Sequence, residues 1–325
     1  MRDVAEMAGV SLKTVSRVIN AEAGVATATA ERVGEAIAAL GFQRNDLARS
    51  LRHGLSSSTL GLVIEDVGNP FYSAVAQAVE VAARERGFLL ITASAREDAE
   101  RERELVSALV GRRVDALLIV PAGADQRYVD EMRGSTKFVY IDRPPGGYDA
   151  DTVLLDDAGG ARQAVEHLLA HGHRRIACVA DRSEVYTARE RVAGYEAALE
   201  AAGVELDPEL IRPGSYDAAH AEVVVSELLD LPADRRPTAI FTANNRNTVG
   251  ALHALAGRDE VALVGFDDFE LADLLGITIV RADASRLGAR AAALAFARLD
   301  GDDQPPQRVT IPTAIVARGS GERPA

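Results

Sequence analysis

The sequence predicts a small all-α head followed by a larger α/β domain built as two parallel-sheet lobes. Three observations lead there. Residues 3–20 (DVAEMAGVSLKTVSRVIN) hold two short amphipathic stretches separated by a glycine. From Leu60 onward, short apolar runs alternate with stretches of helical period, the pattern of βαβ units with helices on both faces of a parallel sheet. That alternation passes through two rounds of similar size, joined by segments that cross between them.

In the head, Val4, Ala5 and Ala8 share one face of a first helix, and Gly9-Val10 break the pattern. Ser11 is placed to cap a second helix, its hydroxyl accepting a free backbone N–H. Val15, Val18 and Ile19 form the inner face of that helix. Leu12, Lys13, Thr14, Ser16 and Arg17 are left for its outer face and N-terminal end. Two short helices joined by a tight glycine turn form the helix-turn-helix pattern, whose second helix fits the major groove of DNA. Spacing alone leaves this reading level with an ordinary helical hairpin whose cations are merely solvated.

A third helix is expected at 29–40, with Val33, Ile37 and Leu40 inward and Gly41 as its stop. Ala26 offers no side-chain oxygen, so Thr27 is expected to cap this helix. Residues 45–52 (NDLARSLR) make barely two turns behind an Asn45 cap, too short to persist as a free helix. Residues 53–59 read as a flexible tether.

The α/β region opens with strands expected at 60–64, 88–92, 114–120 and 138–141, and helices at 72–86 and 99–112. The second round has strands at 176–180, 239–242 and 261–266, with helices at 158–171, 188–202, 218–229 and 248–256. A helical crossover at 283–299, one final strand at 309–317 and a frayed end from Gly319 complete the chain. Ligands in open α/β sheets bind beyond the carboxyl ends of the strands. Residues just after strands are therefore the candidates for a cleft between the lobes: Asn69, Phe71, Tyr72, Arg143, Thr187, Arg191, Asn244 and Asp267. Each alone also reads as a turn or capping residue.

At 325 residues with 47% hydrophobic content, the chain has length for two or three domains with large cores. It holds no apolar run of about 18 residues, so no membrane span is expected. It opens directly in the helical motif, which leads to the expectation of no secretory signal and a cytoplasmic protein. Cys178, in an apolar run, reads as a buried structural residue. The net charge of −13 is unevenly placed: residues 1–59 carry seven basic and six acidic groups, a net of +1, which leaves −14 for the rest. That is a weak electrostatic footprint for one head on DNA, and two heads would double it. His167 and His171 sit four apart in HLLAHGH, but no third ligand stands at metal-site spacing. No nucleophile–base spacing, phosphate-binding glycine loop or cofactor motif is found, so neither an enzyme nor a cofactor is expected.

Residues 3–20, 45–52 and the strand-end motifs closely resemble the lactose-repressor (LacI/GalR) family of bacterial transcription regulators, and the resemblance runs through nearly the whole chain. It implies a helix-turn-helix head at 1–44 and a hinge helix and linker at 45–59. The effector and dimerisation domain at 60–325 would have the two-lobed fold of periplasmic binding proteins. Its N-lobe would comprise 60–155 and 283–308, and its C-lobe 156–282 and 309–325. The resemblance also implies DNA contacts from Ser11, Leu12, Lys13, Thr14, Ser16, Arg17, Asn20, Thr29, Asn45 and Ala48. By it Leu51, on spacing just one apolar linker residue, becomes a wedge inserted into the minor groove. Arg191 matches the family's effector-gripping arginine, a fork suited to adjacent oxygens.

Departures from the family pattern lie at Ala26, where Ser is usual, at Arg44 for Pro, and at Asn245 for Asp. Ala282-Asp283-Ala284 stands where Gln and then Asp are frequent, which predicts a roomier cleft wall. Asp156-Asp157 for Asp-Asn predicts a more acidic pocket mouth. The implied function is a repressor acting as a homodimer on a pseudo-palindromic double-stranded DNA operator, controlled by a small-molecule effector, a sugar in the first instance. The alternatives are a solute-binding protein of the sugar-transport type and a regulator answering to a protein co-repressor. Leu51→Ala is expected to weaken binding to operator more than to random DNA in a gel-shift titration; equal losses on both would sink the wedge assignment.

Overall fold

The computed structural model describes residues 1–19, 22, 24–41, 57–132, 134–258 and 260–325. Asn20, Asn45, Ala48 and Leu51 lie outside these residues. The chain divides into two compact units at Ser57/Ser58.

The head is three helices, α1 (Arg2–Met7), α2 (Leu12–Ile19) and α3 (Thr27–Ala39). Val4, Ala5, Ala8, Val15, Val33 and Ala36 form its core, with Val18, Ile19 and Ile37 packed against it. Gly9 makes the α1–α2 turn at φ +62°, a left-handed conformation that costs glycine nothing. Two expectations are corrected. Ala26 is the N-cap of α3 with no side-chain bond, and Thr27 is already the first helical residue, so its hydroxyl is past the position where it could cap. Leu40 lies beyond the last turn and is 41% exposed.

The large unit carries two six-stranded sheets. The first alternates β1 (Thr59–Ile64), α4 (Pro70–Glu85), β2 (Leu89–Ser94), α5 (Ala99–Gly111), β3 (Ala116–Ile119), α6 (Tyr128–Met132), β4 (Lys137–Ile141) and β5 (Asp151–Leu155). The chain then crosses to α7 (Asp157–Ala170), β6 (Ile176–Val179), α8 (Tyr186–Ala201), β7 (Ile211–Arg212), α9 (Ala218–Leu229), β8 (Ala239–Thr242), α10 (Asn245–Ala254), β9 (Ala262–Phe266) and β10 (Thr278–Ala282). It returns through α11 (Ala284–Leu299) to β11 (Arg308–Ile311) and ends in β12 (Thr313–Val316). The sheet orders are β11-β5-β4-β3-β1-β2 and β12-β10-β9-β8-β6-β7. All pairings are parallel except β10 with β12. Both sheets reverse direction of growth at their first strand, and such switch points are where α/β sheets open a ligand crevice.

The strands are apolar on both faces because both are covered. Leu60, Leu62 and Ile64 pack with α4 and α11, while Val63 packs with Val106 and Leu109 of α5. Among the helix contacts close enough to require glycine are those at Gly194 and Gly288. A Cβ on Gly194 of α8 would sit 2.2 Å from the Ala158 carbonyl oxygen, and one on Gly288 of α11 would sit 2.5 Å from that of Val75.

The third crossing departs from the expected order. The expected single strand at 309–317 is two strands in different sheets, parted by Pro312. β11 pairs with β5 and β12 with β10, so the N-lobe runs to Ile311 rather than 308. The first and third crossings are bonded to each other, through Asp156 N–H to Ile311 O (3.0 Å) and Thr313 Oγ1 to Asp156 O (3.1 Å). The chain end is not frayed either. Ser320 is buried and donates to Leu263 O at 2.6 Å, and His173 Nε2 meets Arg323 O at 2.9 Å. His167 pairs with Glu322. These bonds give the HLLAHGH run a structural role. No helix among the described residues is long and apolar enough to cross a membrane.

Gly194→Ala is expected to lower stability by about 1–3 kcal/mol through overpacking. Gly111→Ala, with nothing within 4 Å of the new methyl, should raise it by a few tenths up to about 1 kcal/mol. Urea denaturation of the two variants checks the contrast.

Candidate functional site

The head presents α2. Ser11 Oγ accepts from Thr14 N at 3.1 Å and lies 2.9 Å from Thr14 Oγ1, so the cap also fixes the Thr14 hydroxyl. Ser11, Leu12 and Lys13 are exposed, and Thr14, Ser16 and Arg17 half-buried, around the inward Val15. Arg17 stands 3.7 Å from Glu22. Thr29, in the first turn of α3, is half-buried. A polar and basic helix end backed by a firm core is a shape that enters a major groove.

In the large unit, all eight cleft candidates line one cavity between the lobes. Arg191 is its centre. Its Nε donates to Asp157 Oδ1 at 2.7 Å, and its Nη1 to Ala243 O at 2.7 Å and Asp267 Oδ2 at 3.3 Å. Its guanidinium lies 3.7 Å over the Phe266 ring, a cation–π contact strengthened by burial. Across the cleft, Arg143 makes a two-pronged pair with Glu97 (2.7 and 2.6 Å) and donates to Pro121 O at 2.9 Å. The Tyr72 hydroxyl donates to Asp142 Oδ2 at 2.9 Å. Asn69 and Asn244 do serve as caps: their side chains accept from Phe71 N and Asn247 N.

Several partners escaped the sequence reading. Glu65, Glu97, Asp142, Asp181 and Arg246 also line the cavity. All but Arg246 directly follow a strand or stand within three residues of its end, which was the available signal. The expected acidic pair at the mouth separates: Asp156 caps α7 by accepting from Gly159 N, whereas Asp157 is buried against Arg191. Ala282, Asp283 and Ala284 do not line this cavity; they border a separate one of about 630 Å³ that has Phe71 in common with it.

Two features mark the cleft as built for a polar ligand. Asp142 Oδ1, Asp157 Oδ2, Asp267 Oδ1, Arg143 Nε and Asn245 Oδ1 are buried without a hydrogen-bond partner, and such groups are costly unless something satisfies them. Further, Arg96, Glu97, Asp142 and Asp267 adopt positive φ, between +56° and +69°, strain that gathers at functional sites. Asp142 and Asp267 are counterparts, each the residue after the fourth strand of its sheet.

The lobes are tied across the cleft. Arg246 of α10 reaches Glu65 (3.1 Å) and Asp66 (2.7 Å) after β1, and Asn245 Nδ2 donates to Asn69 Oδ1 at 2.9 Å. With these contacts made, the inner cavity is about 50 Å³, room for little more than water.

Electrostatics follow from burial. Burial raises the pKa of Asp157 to about 7, against the pull of Arg191 and with Asp142 and Asp267 adding to the rise. Asp267 is raised by burial too, as are Glu65 and Asp181. Burial opposes the charge of Arg143, but Tyr72, Glu97 and Asp142 hold its pKa well above the ordinary value.

Residues 1–45 match the family described as bacterial regulatory proteins, lacI family, and residues 165–321 match a periplasmic binding protein-like domain. The regulator CelR of Thermobifida fusca is 35% identical over 98% of this chain and 97% of its own. The chain belongs to the lacI family of bacterial regulatory proteins. The ribose operon repressor of Escherichia coli K12 is 31% identical, covering 98% of this chain and 99% of the relative. The lac repressor dimer bound to operator and an anti-inducer superposes with a TM-score of 0.82 at 26% identity, over 98% of both chains. The CelR–cellobiose complex gives 0.72 at 32% identity, again over 98% of both. This lacI-family member is accordingly a DNA-binding transcriptional regulator and not an enzyme.

The raised Asp157 carries a pH signature. Its carboxyl titrates from 3.8 in the ordinary case to about 7 in the folded protein. Between these values the folded chain holds a proton that the unfolded chain has released, so stability is highest at the acid end and falls as pH rises through about 7. The melting temperature of Asp157→Asn is expected to fall less between pH 5 and 8 than that of the parent. Parallel curves would mean that Asp157 is ionised throughout.

Proposed function

We propose that the protein is a cytoplasmic repressor that binds a pseudo-palindromic operator as a homodimer and is controlled by a neutral polyhydroxylated effector, a sugar, held between the lobes. The head at 1–44 reads DNA through Lys13, Arg17 and their neighbours. The hinge at 45–59 folds on DNA with Leu51 as wedge, and the domain at 60–325 binds effector and partner. The observation that carries the effector reading is the set of unpartnered buried carboxylate oxygens of Asp142, Asp157 and Asp267 around Arg191. These oxygens accept, and a protonated Asp157 also donates, which suits hydroxyls that do both, while the ionised members oppose a phosphate. The CelR–cellobiose complex supports the same class of ligand, and the relatives named as repressors support the direction of control.

Dimerisation is supported by large apolar side chains left in solvent, among them Leu271, Leu274 and Leu275 of the C-lobe and Leu89 and Val81 of the N-lobe. A single head carries a net charge of only +1 in residues 1–59, so two heads are needed for adequate phosphate attraction.

A thermal-shift screen against sugars, sugar phosphates and nucleosides tests the reading. A neutral sugar at a hundred times its Kd is expected to stabilise the protein by about 2.7 kcal/mol, an effect lost in Arg191→Ala and Asp267→Ala. Its addition to an operator-binding assay then gives the sign of control. A sugar phosphate or nucleoside as sole hit would overturn the ligand class. Silence from the whole panel would overturn the small-sugar reading and favour a protein co-repressor.

A further inference from the structure

Around Arg191 stand three buried carboxylates, Asp142, Asp157 and Asp267. Asp157 is the most deeply placed of Arg191's two ion-pair partners, its side chain 2% exposed, and it opens α7 immediately after the first crossing between the lobes. We propose that Asp157 makes the effector site sensitive to pH: acting through Arg191 as a positioning residue, it takes up one proton from solvent as the ligand enters above neutral pH. The proposal rests on the effector reading above and deepens it by naming how that site is regulated.

The cluster is short of positive charge. Arg191 comes from α8, Asp267 follows β9 and Asp142 follows β4. Arg143 stands 3.7 Å from Asp142 but is already matched by its two-pronged pair with Glu97. The Tyr72 hydroxyl serves Asp142 without adding charge, and Tyr186 at the start of α8 also feels the charge of Asp157. The strands packed on α7 bring no counter-charge: β8, β9 and β12 hold no titratable side chain, and Arg281 of β10 is exposed. Asp156, the neighbour of Asp157, is turned to the Gly159 N–H. With every group ionised, one guanidinium therefore meets three carboxylates.

The geometry says where a proton goes. Asp157 Oδ1 accepts from Arg191 Nε at 2.7 Å, whereas Oδ2 is buried with no hydrogen-bond partner. Protonation on Oδ2 keeps the bond that orients Arg191 and removes one negative charge beside it. A neutral ligand displaces water from the cluster and brings no charge of its own, and burial penalises an ionised acid most where like charges already surround it. Burial pushes the Asp157 carboxyl up to about 7, with Asp142 and Asp267 adding to the rise and Arg191 opposing it; the loss of further water on binding raises it again. Between those two values the bound protein holds a proton that the unbound protein has released. Affinity is then highest on the acid side and falls as pH rises through about 7. The effect needs no contact between Asp157 and the ligand, because the charge beside Arg191 carries it.

The test is calorimetric titration of the full-length protein with glucose, ribose, cellobiose and maltose at pH 6 and pH 8, each in two buffers of different ionisation enthalpy. For a sugar that binds, Kd is expected to be about tenfold larger at pH 8 than at pH 6, with most of one proton taken up per site at pH 8. Asp157→Asn keeps an oxygen to accept from Arg191 and cannot titrate. Its Kd values at the two pH values should agree within about twofold, and proton uptake should vanish. Asp157→Ala lacks that oxygen and should bind more weakly at both pH values, a loss that Asn restores. Melting curves at each pH establish that every variant is folded. Equal Kd values in the parent, or a pH dependence that survives in Asp157→Asn, would overturn the proton coupling and leave the effector reading standing. Failure of every sugar to bind at either pH would remove the effector reading and the coupling with it.

Discussion

The large unit depends on the burial of Arg191. A guanidinium taken out of water survives only with its donors satisfied and its charge balanced. Here Asp157, Asp267 and Ala243 O do the first, and the Phe266 face adds to the second. The partners come from different elements: Asp157 opens α7 immediately after the first crossing, Asp267 follows β9, and Ala243 follows β8. One side chain therefore joins the crossing to the interior of the C-lobe. A ligand that draws on Arg191 or on either carboxylate alters forces at the point where the lobes are hinged, because the residue before Asp157 is bonded to the third crossing.

The same constraint explains the left-handed aspartates. Asp142 and Asp267 end equivalent strands, and each backbone N–H still donates to the neighbouring strand, to Val153 O at 2.8 Å and to Val280 O at 3.0 Å. The ladder is kept while the side chain is turned into the cleft. A residue with a Cβ at positive φ costs on the order of 1–3 kcal/mol, somewhat less for Asp, whose short polar side chain tolerates this region. That cost is borne at the two places where an acceptor is aimed between the lobes.

Why the cleft was so legible in the sequence follows from topology. A parallel sheet brings every strand's carboxyl end to one edge, so residues read one by one after strands, such as Asn69, Arg143 and Asp267, had to converge once the strands were located. Their partners were not legible. Nothing in the spacing pairs Arg246 with Glu65, 181 residues away, or Arg143 with Glu97, since such pairs depend on loop geometry rather than period. The apolar pattern continues through Pro312 and so suggests one strand, although proline removes a ladder donor. Residues 319–325 carry almost no hydrophobic pattern and so suggest a frayed tail; Ser320 and Arg323 are held instead by hydrogen bonds to β9 and His173. In the head, helical period sufficed for the core, and only the ends of α3 were misjudged, where capping rather than period decides.

The contact that closes the lobes has to be weak for regulation to work. Arg246 is 31% exposed, and its partners Glu65 and Asp66 are 11% and 25% exposed, so solvent and salt screen the pairs and each contributes about 0–1 kcal/mol. A buried bridge of full strength would hold the cleft at its inner volume of about 50 Å³ and shut out any ring. Coupling between effector and DNA is typically about 1–3 kcal/mol, the same order as two screened ion pairs and one amide bond together. A ligand of the proposed kind would reset the lobe angle by hydrogen-bonding to carboxyl oxygens that otherwise lack partners. Clamp and latch thus divide the work: Arg191 is buried so that the C-lobe wall stays in place, and Arg246 is left near solvent so that the opposite wall can move.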